Sequence, residues 1–336
     1  MRHIIIFALL FLPALAVAQD SLAGKPVEVS LMTEVNYGRQ YGSGNAALVD
    51  FPHLLICGNA ALGRGWSVVA ELEYERFYDD GQWGNNFRDN YTTNKLYLNK
   101  CWSTALNVKA GIVDIPVGTT NSGGPALTIY DPLSESKLMP MSWHEAGLAV
   151  WGLRGQWHYE AGCYFYPTAP LRGSRWIGGA MRIGVRPVDG FDVSASCFVG
   201  SSKEGMVQRQ NPYLATFSHV YHAAVDFSYL AHGWTVDGQM MTSSAHEYSS
   251  AGLEAGYDCL SGIVLRPGLS QCSATLFARF DGYFHVESVS CNKWTLGLNA
   301  TLPLGFTLKA ETAWINPSND RHVTRFDLSV GWQGQF

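Results

Sequence analysis

The chain ends in RFDLSVGWQGQF, residues 325–336. One register of this stretch carries Phe326, Leu328, Val330, Trp332 and Phe336. The other carries Asp327, Ser329, Gly331, Gln333 and Gln335. Successive side chains of an extended strand point to opposite faces, so the stretch predicts a strand with one apolar, aromatic face and one polar face. Such a strand at the end of a chain presents an unpaired edge unless another strand covers it.

The same period recurs upstream. In VEVSLMTEVNY (27–37), Val27, Val29, Leu31, Val35 and Tyr37 oppose Glu28, Ser30, Glu34 and Asn36. In WSVVAELEYERFY (66–78), Trp66, Val68, Ala70, Leu72 and Tyr74 oppose Ser67, Glu71, Glu73 and Glu75. WTLGLNATL (294–302) and FTLKAETAW (306–314) repeat the pattern, with aromatics at the ends of the apolar sets. Read in this way the chain holds about sixteen strands, at 27–37, 51–62, 66–78, 90–101, 105–114, 143–152, 156–166, 176–186, 191–200, 219–229, 234–242, 250–265, 274–284, 292–302, 306–315 and 323–336.

The links sort into two alternating kinds. GRG, WSTA, LRG, PVDG, AHG and PLG are short, with 266–273 a little longer; RQYGSGNAALVD, DDGQWGNNFRDN, SSKEGMVQRQNPYLATFS and NPSNDRH are long and polar. Outer-membrane barrels have short periplasmic turns and longer extracellular loops, whereas a soluble sandwich has no reason to sort its loops. Charged residues are 15% of the chain, well under the ~25% of soluble domains. The expected fold is therefore all-β: a closed antiparallel transmembrane β-barrel of about sixteen strands, facing the lipid of a Gram-negative outer membrane. Lipid cannot satisfy unpaired backbone groups, so the last strand should pair with the first. The final Phe336 looks like the signal read by the barrel assembly machinery.

At the other end, MRHIIIFALLFLPALAVAQD has a basic start, an apolar run from Ile4 to Val17 and small residues at Ala16 and Ala18. It reads as a signal peptide, residues 1–18, with the barrel occupying 19–336. The apolar run is shorter than the roughly 18 residues that a spanning helix needs.

Catalytic and metal motifs are absent from the sequence. There is no G-x-S-x-G, H-E-x-x-H, P-loop or C-x-x-C. His219 and His222 are three apart on an expected strand and so face opposite sides, as do His144 and Glu145. No enzyme, cofactor or metal is expected, and a net charge of −5 gives no nucleic-acid surface. Among seven cysteines, Cys163, Cys197 and Cys259 fall on apolar registers. Whether Cys259 and Cys272, near one turn, are joined stays open.

Three segments carry a family resemblance: GIVDIPVG (Gly111–Gly118), LMPMSWHEAGLAVWG (Leu138–Gly152) and LFARFD (Leu276–Asp281). In order and spacing they resemble the phosphate-selective porin-like family of Bacteroidetes-type outer membranes. The resemblance implies a porin, a water-filled diffusion channel for small hydrophilic solutes, often a homotrimer, with one loop folded into the pore. That loop would be 115–142, the longest stretch without alternation, with Asn121, Tyr130, Asp131, Glu135 and Lys137 as candidate constriction residues. A plugged barrel serving as a structural or adhesive scaffold is the alternative.

On the polar register, candidate lining residues are Glu71, Glu73, Glu75, Lys95, Lys109, Glu145, Arg182, Arg186, Arg279 and Asp281. Over the whole polar register of all the strands, acids outnumber bases about two to one, which argues against phosphate. Glu71, Glu73 and Glu75 should form one inward ladder, with Lys95 across from Glu73 or one pair to either side.

Overall fold

The structure, a computed structural model, describes residues 27–42, 47–79, 82–83, 91–119, 125–130, 132, 138–139, 143–165, 176–202, 220–244, 248–263, 272–285, 288–318 and 322–336. The expected signal peptide, 1–18, and His219 lie outside the described residues.

In chain order the strands are β1 (Val27–Tyr41), β2 (Ala47–Gly63), β3 (Trp66–Asp79), β4 (Gln82–Trp83), β5 (Tyr91–Cys101), β6 (Asn107–Asp114), β7 (His144–Arg154), β8 (Trp157–Phe165) and β9 (Trp176–Val188). They continue as β10 (Phe191–Ser202), β11 (Val220–Ala231), β12 (Trp234–Ser243), β13 (Tyr248–Asp258), β14 (Ser273–His285), β15 (Ser288–Thr301), β16 (Phe306–Pro317) and β17 (Val323–Gln335). The two residues of β4 only cap the end of β3, with Tyr78 opposite Trp83. The other sixteen form one closed antiparallel barrel, in which β3 pairs with β5 and β17 returns to β1.

Closure runs from Ser30↔Gln335 to Tyr41↔Thr324. Beyond it, Phe336 N–H donates to Val29 O at 2.9 Å and Val29 N–H to Phe336 O at 3.4 Å. The terminal strand thus ends fully paired, which removes the edge that a membrane cannot tolerate.

Alternation sorts the side chains inside out. On β11 Val225 is 57% exposed and its neighbour Asp226 3%; on β13 Leu253 is 49% exposed and Glu254 is fully buried. Leu148, Ile183, Leu276, Leu296, Leu328 and Val330 likewise face outward. A polar interior within an apolar exterior is the arrangement of an outer-membrane barrel, whose outer solvent is lipid. Three of the short turns, at Arg64–Gly65, His232–Gly233 and Leu304–Gly305, have positive φ at both residues, the twist that favours tight hairpins.

Strand limits differ from the sequence reading where side chains bond back to the chain. The expected strand 250–265 stops at Asp258, because Asp258 Oδ1 accepts from Leu260 N–H at 3.1 Å and from Ala274 N–H at 2.8 Å. These bonds turn the chain, so the link is 259–272 and longer than expected. Cys259 and Cys272 are both free thiols. On the long-loop side β1 and β2 run further than alternation alone suggested, pairing out to Arg39↔Ala47.

Candidate functional site

The lumen is shaped first by the segment between β6 and β7. After Asp114 the chain turns inward, and Ile115, Val117, Leu138, Met139 and Trp143 are buried in one apolar cluster. Its other side is the inner wall: Tyr164 of β8, Ala180 of β9, Phe198 of β10, Val220 and Ala224 of β11, and Met241 of β12. Trp143 sits 4.7 Å from the Phe198 ring and 5.2 Å from the His222 ring, centroid to centroid. Burial of this much aromatic surface is what holds the two ends of the segment against this arc of the inner wall.

Polar anchors continue the path. Arg182 Nη1 donates to Gly118 O at 3.0 Å and Gly118 N–H to Ser196 Oγ at 3.3 Å. Thr119 donates through N–H and Oγ1 to Gln239 Oε1, both at 3.3 Å. The described piece 125–130 then meets a different arc of the wall. Asn299 Nδ2 donates to Leu127 O at 3.4 Å, Lys309 Nζ to Thr128 O at 3.2 Å, and Ile129 N–H to Glu311 Oε2 at 2.9 Å. The Arg325 guanidinium lies 4.1 Å over the Tyr130 ring, and burial raises the Tyr130 phenol above its ordinary pKa. A Cβ on Gly256 would stand 2.5 Å from Leu127 Cδ1, so β13 makes room for the loop with a glycine. The described pieces 115–119 and 125–130 therefore sit against two different arcs of the wall, the first on β9–β12 and the second on β15–β17. Of the candidate constriction residues, Tyr130 is placed here; Asn121, Asp131, Glu135 and Lys137 lie outside the described residues.

Six basic side chains on the inner wall are held by carboxylates, whereas Lys309 donates to the loop carbonyl of Thr128. Lys95 Nζ lies 3.0 Å from Glu71 and 3.7 Å from Asp114, and Lys109 2.8 Å from Glu160. Arg182 makes a two-pronged contact with Asp226 at 2.9 and 2.5 Å, and Arg186 Nε lies 2.8 Å from Asp192. Arg279 bridges Glu254 and Asp281 at 3.3 and 2.9 Å, and Arg325 contacts Asp327 at 2.7 Å. Glu145 is fully buried opposite Val113.

The acidic ladder of β3 is met from two sides. Lys95 stands opposite Glu71, one pair along from Glu73, with a bulge between Glu71 and Leu72. The extra residue lets adjacent Asn94 and Lys95 both reach inward: Asn94 Nδ2 donates to Glu73 at 2.9 Å and to Glu71 at 3.3 Å. From the other side His53 of β2 lies 2.7 Å from Glu73, and His53 is also directly opposite Glu75. These contacts offset the repulsion of closely spaced carboxylates. Asn94→Ala is expected to cost about 1.5–3 kcal/mol, the scale of hydrogen bonds to charged groups, read as a lower urea midpoint of the refolded barrel.

Alternation missed several residues. Asp114 lies 3.7 Å from Lys95 Nζ and 2.8 Å from His144, although its register is that of Ile112. Asp50 and His53, three apart on a strand, should face opposite sides, yet both turn inward. The signal was Pro52: a proline within a strand marks an edge or a bulge, and the pairing of β2 with β3 shifts between Asp50 and His53.

No protein-family model matches the sequence, and no curated protein is significantly similar to it. Similar solved structures are outer-membrane proteins. OmpF of Salmonella typhi, in a complex with daunomycin, aligns with a TM-score of 0.66 at 8% identity, over 92% of this chain and 97% of that one. A loop-deletion mutant of OmpT, an outer membrane protein of Vibrio cholerae, gives 0.59 at 8% identity over 92% and 99%. A mutant Rh. blastica porin gives 0.52 at 14% identity over 91% and 100%. The fold is thus a general porin-like one.

Proposed function

We propose that this chain is an outer-membrane porin, a passive diffusion channel for small hydrophilic solutes or ions that is not specialised for phosphate. The observation that carries the reading is the segment after β6, bonded to two arcs of the inner wall of a closed barrel. A loop so placed narrows a lumen without requiring any moving part. Residues 1–18 direct export and are removed, and Phe336 presents the last strand to the assembly machinery.

Solute preference follows from how the charges are spent. Phosphate-selective members of the resembling family use arginine and lysine along the pore. Here Lys95, Lys109, Arg182, Arg186, Arg279 and Arg325 are each bound by a carboxylate. The polar register also carries additional acids, and charge of one sign in a narrow path concentrates counter-ions. In a planar bilayer under a potassium chloride gradient, the reversal potential is expected to show a preference for cations. Anion preference, or block of chloride current by phosphate, overturns that selectivity; absence of any conductance from folded protein overturns the channel and favours a scaffold.

A further inference from the structure

Outside the loop and its anchors, one cluster on the inner wall combines an imidazole with several carboxylates. One carboxylate oxygen each of Asp50 and Glu75 and a ring nitrogen of His53 lie within 4.8 Å of one another. Asp50 is 2% exposed. Its Oδ2 is engaged by Asn36 Nδ2 at 2.9 Å and lies 3.1 Å from His53 Nδ1. Its Oδ1 is buried and has no hydrogen-bond partner among the described residues. On the far side of the ring, Nε2 lies 2.7 Å from Glu73 Oε1.

We propose that Asp50, His53 and Glu75 form a binding site for a first-row divalent transition cation, such as zinc, in the wall of the lumen. The donor set is one nitrogen and two carboxylate oxygens, which suits such ions rather than calcium or magnesium. Glu73 supplies the outer partner: it keeps the proton on Nε2, so that a cation entering between Nδ1 and Asp50 takes the place of the proton they share and that proton is released to solvent, as at metal-bound histidines backed by a carboxylate. Asp50 and Glu73 flank the imidazole on its two nitrogens, and Glu34 of β1 stands opposite His53. Zinc bonds of about 2.0–2.2 Å place adjacent ligand atoms about 3.3–3.6 Å apart, so the cluster contracts on binding, chiefly by rotation of the long Glu75 side chain. The bulge at Pro52 brings Asp50 to the same face as His53.

The test is calorimetric titration of zinc chloride into the folded, full-length barrel in detergent. It needs no conduction, so it succeeds or fails separately from the channel reading. One zinc per chain is expected. His53→Gln should abolish binding, and Glu75→Gln and Glu73→Gln should each weaken it by roughly tenfold or more. Heat-modifiable migration on a gel reports that each variant is folded. If His53→Gln does not fold, the two glutamate variants decide. No zinc binding by the wild-type barrel, or unchanged affinity in folded Glu75→Gln, overturns the proposal.

Discussion

Replacing residues 120–137 with a short glycine–serine linker is expected to raise single-channel conductance several-fold. The replacement keeps Ile115, Val117, Leu138, Met139 and Trp143, the apolar residues that pack on β8–β12. It also keeps the Gly118 and Thr119 anchors to Arg182, Ser196 and Gln239. What goes is the part that crosses to the other arc: Leu127, Thr128, Ile129 and Tyr130, with their bonds to Asn299, Lys309, Glu311 and Arg325. Barrel strands do not depend on those bonds, because each strand is paired on both sides. Conductance rises with the open cross-section, so removing a crossing segment should enlarge it while heat-modifiable migration stays normal. An unchanged conductance from a folded variant would sink the constriction.

A second large effect is expected at the wall itself, where Arg279→Met should destabilise the barrel by about 3–5 kcal/mol. Arg279 is directly across from Glu254 and two residues before Asp281 on the same face. Its Nε and Nη2 donate to Asp281 at 2.9 and 3.0 Å, and Nη1 to Glu254 at 3.3 Å. Arg279 is 5% exposed and both acids are fully buried. Removing the guanidinium leaves two buried carboxylates without the cation they share, Asp281 keeping Lys293 directly across the ladder, and that loss of compensation is the source of the cost. Adding Glu254→Gln and Asp281→Asn to Arg279→Met should therefore recover most of the urea midpoint, which a packing defect alone would not allow. Arg279→Lys should fall between, because one ammonium cannot span both acids as the planar fork does. A midpoint for Arg279→Met equal to wild type would refute this account.

The barrel is largely legible in the sequence, and its legibility has a simple cause. Leu253 out and Glu254 in, or Val225 out and Asp226 in, is settled by backbone geometry that alternates with every residue. Closure was legible too, since a lipid-facing edge strand is untenable. The path of the 115–142 segment was not. Its apolar residues indicated packing, but nothing local says that Leu127 settles beside Gly256 or that Ile129 finds Glu311, 182 residues away.

The sequence by itself determined the period, hence the faces, the sixteen strands and the need for the ends to meet. It also placed acids and bases on one register. Only the tertiary structure decided which acid holds which base. Pairing depends on the stagger between strands and on bulges, and one extra residue moves every later side chain to the other face. That is how Asn94 and Lys95 come to share a face, and how Asp50 reaches His53 past Pro52. The same dependence hid the cluster of Asp50, His53 and Glu75: its members come from two strands, and their convergence arises from a local break in the alternation that reveals the rest of the fold.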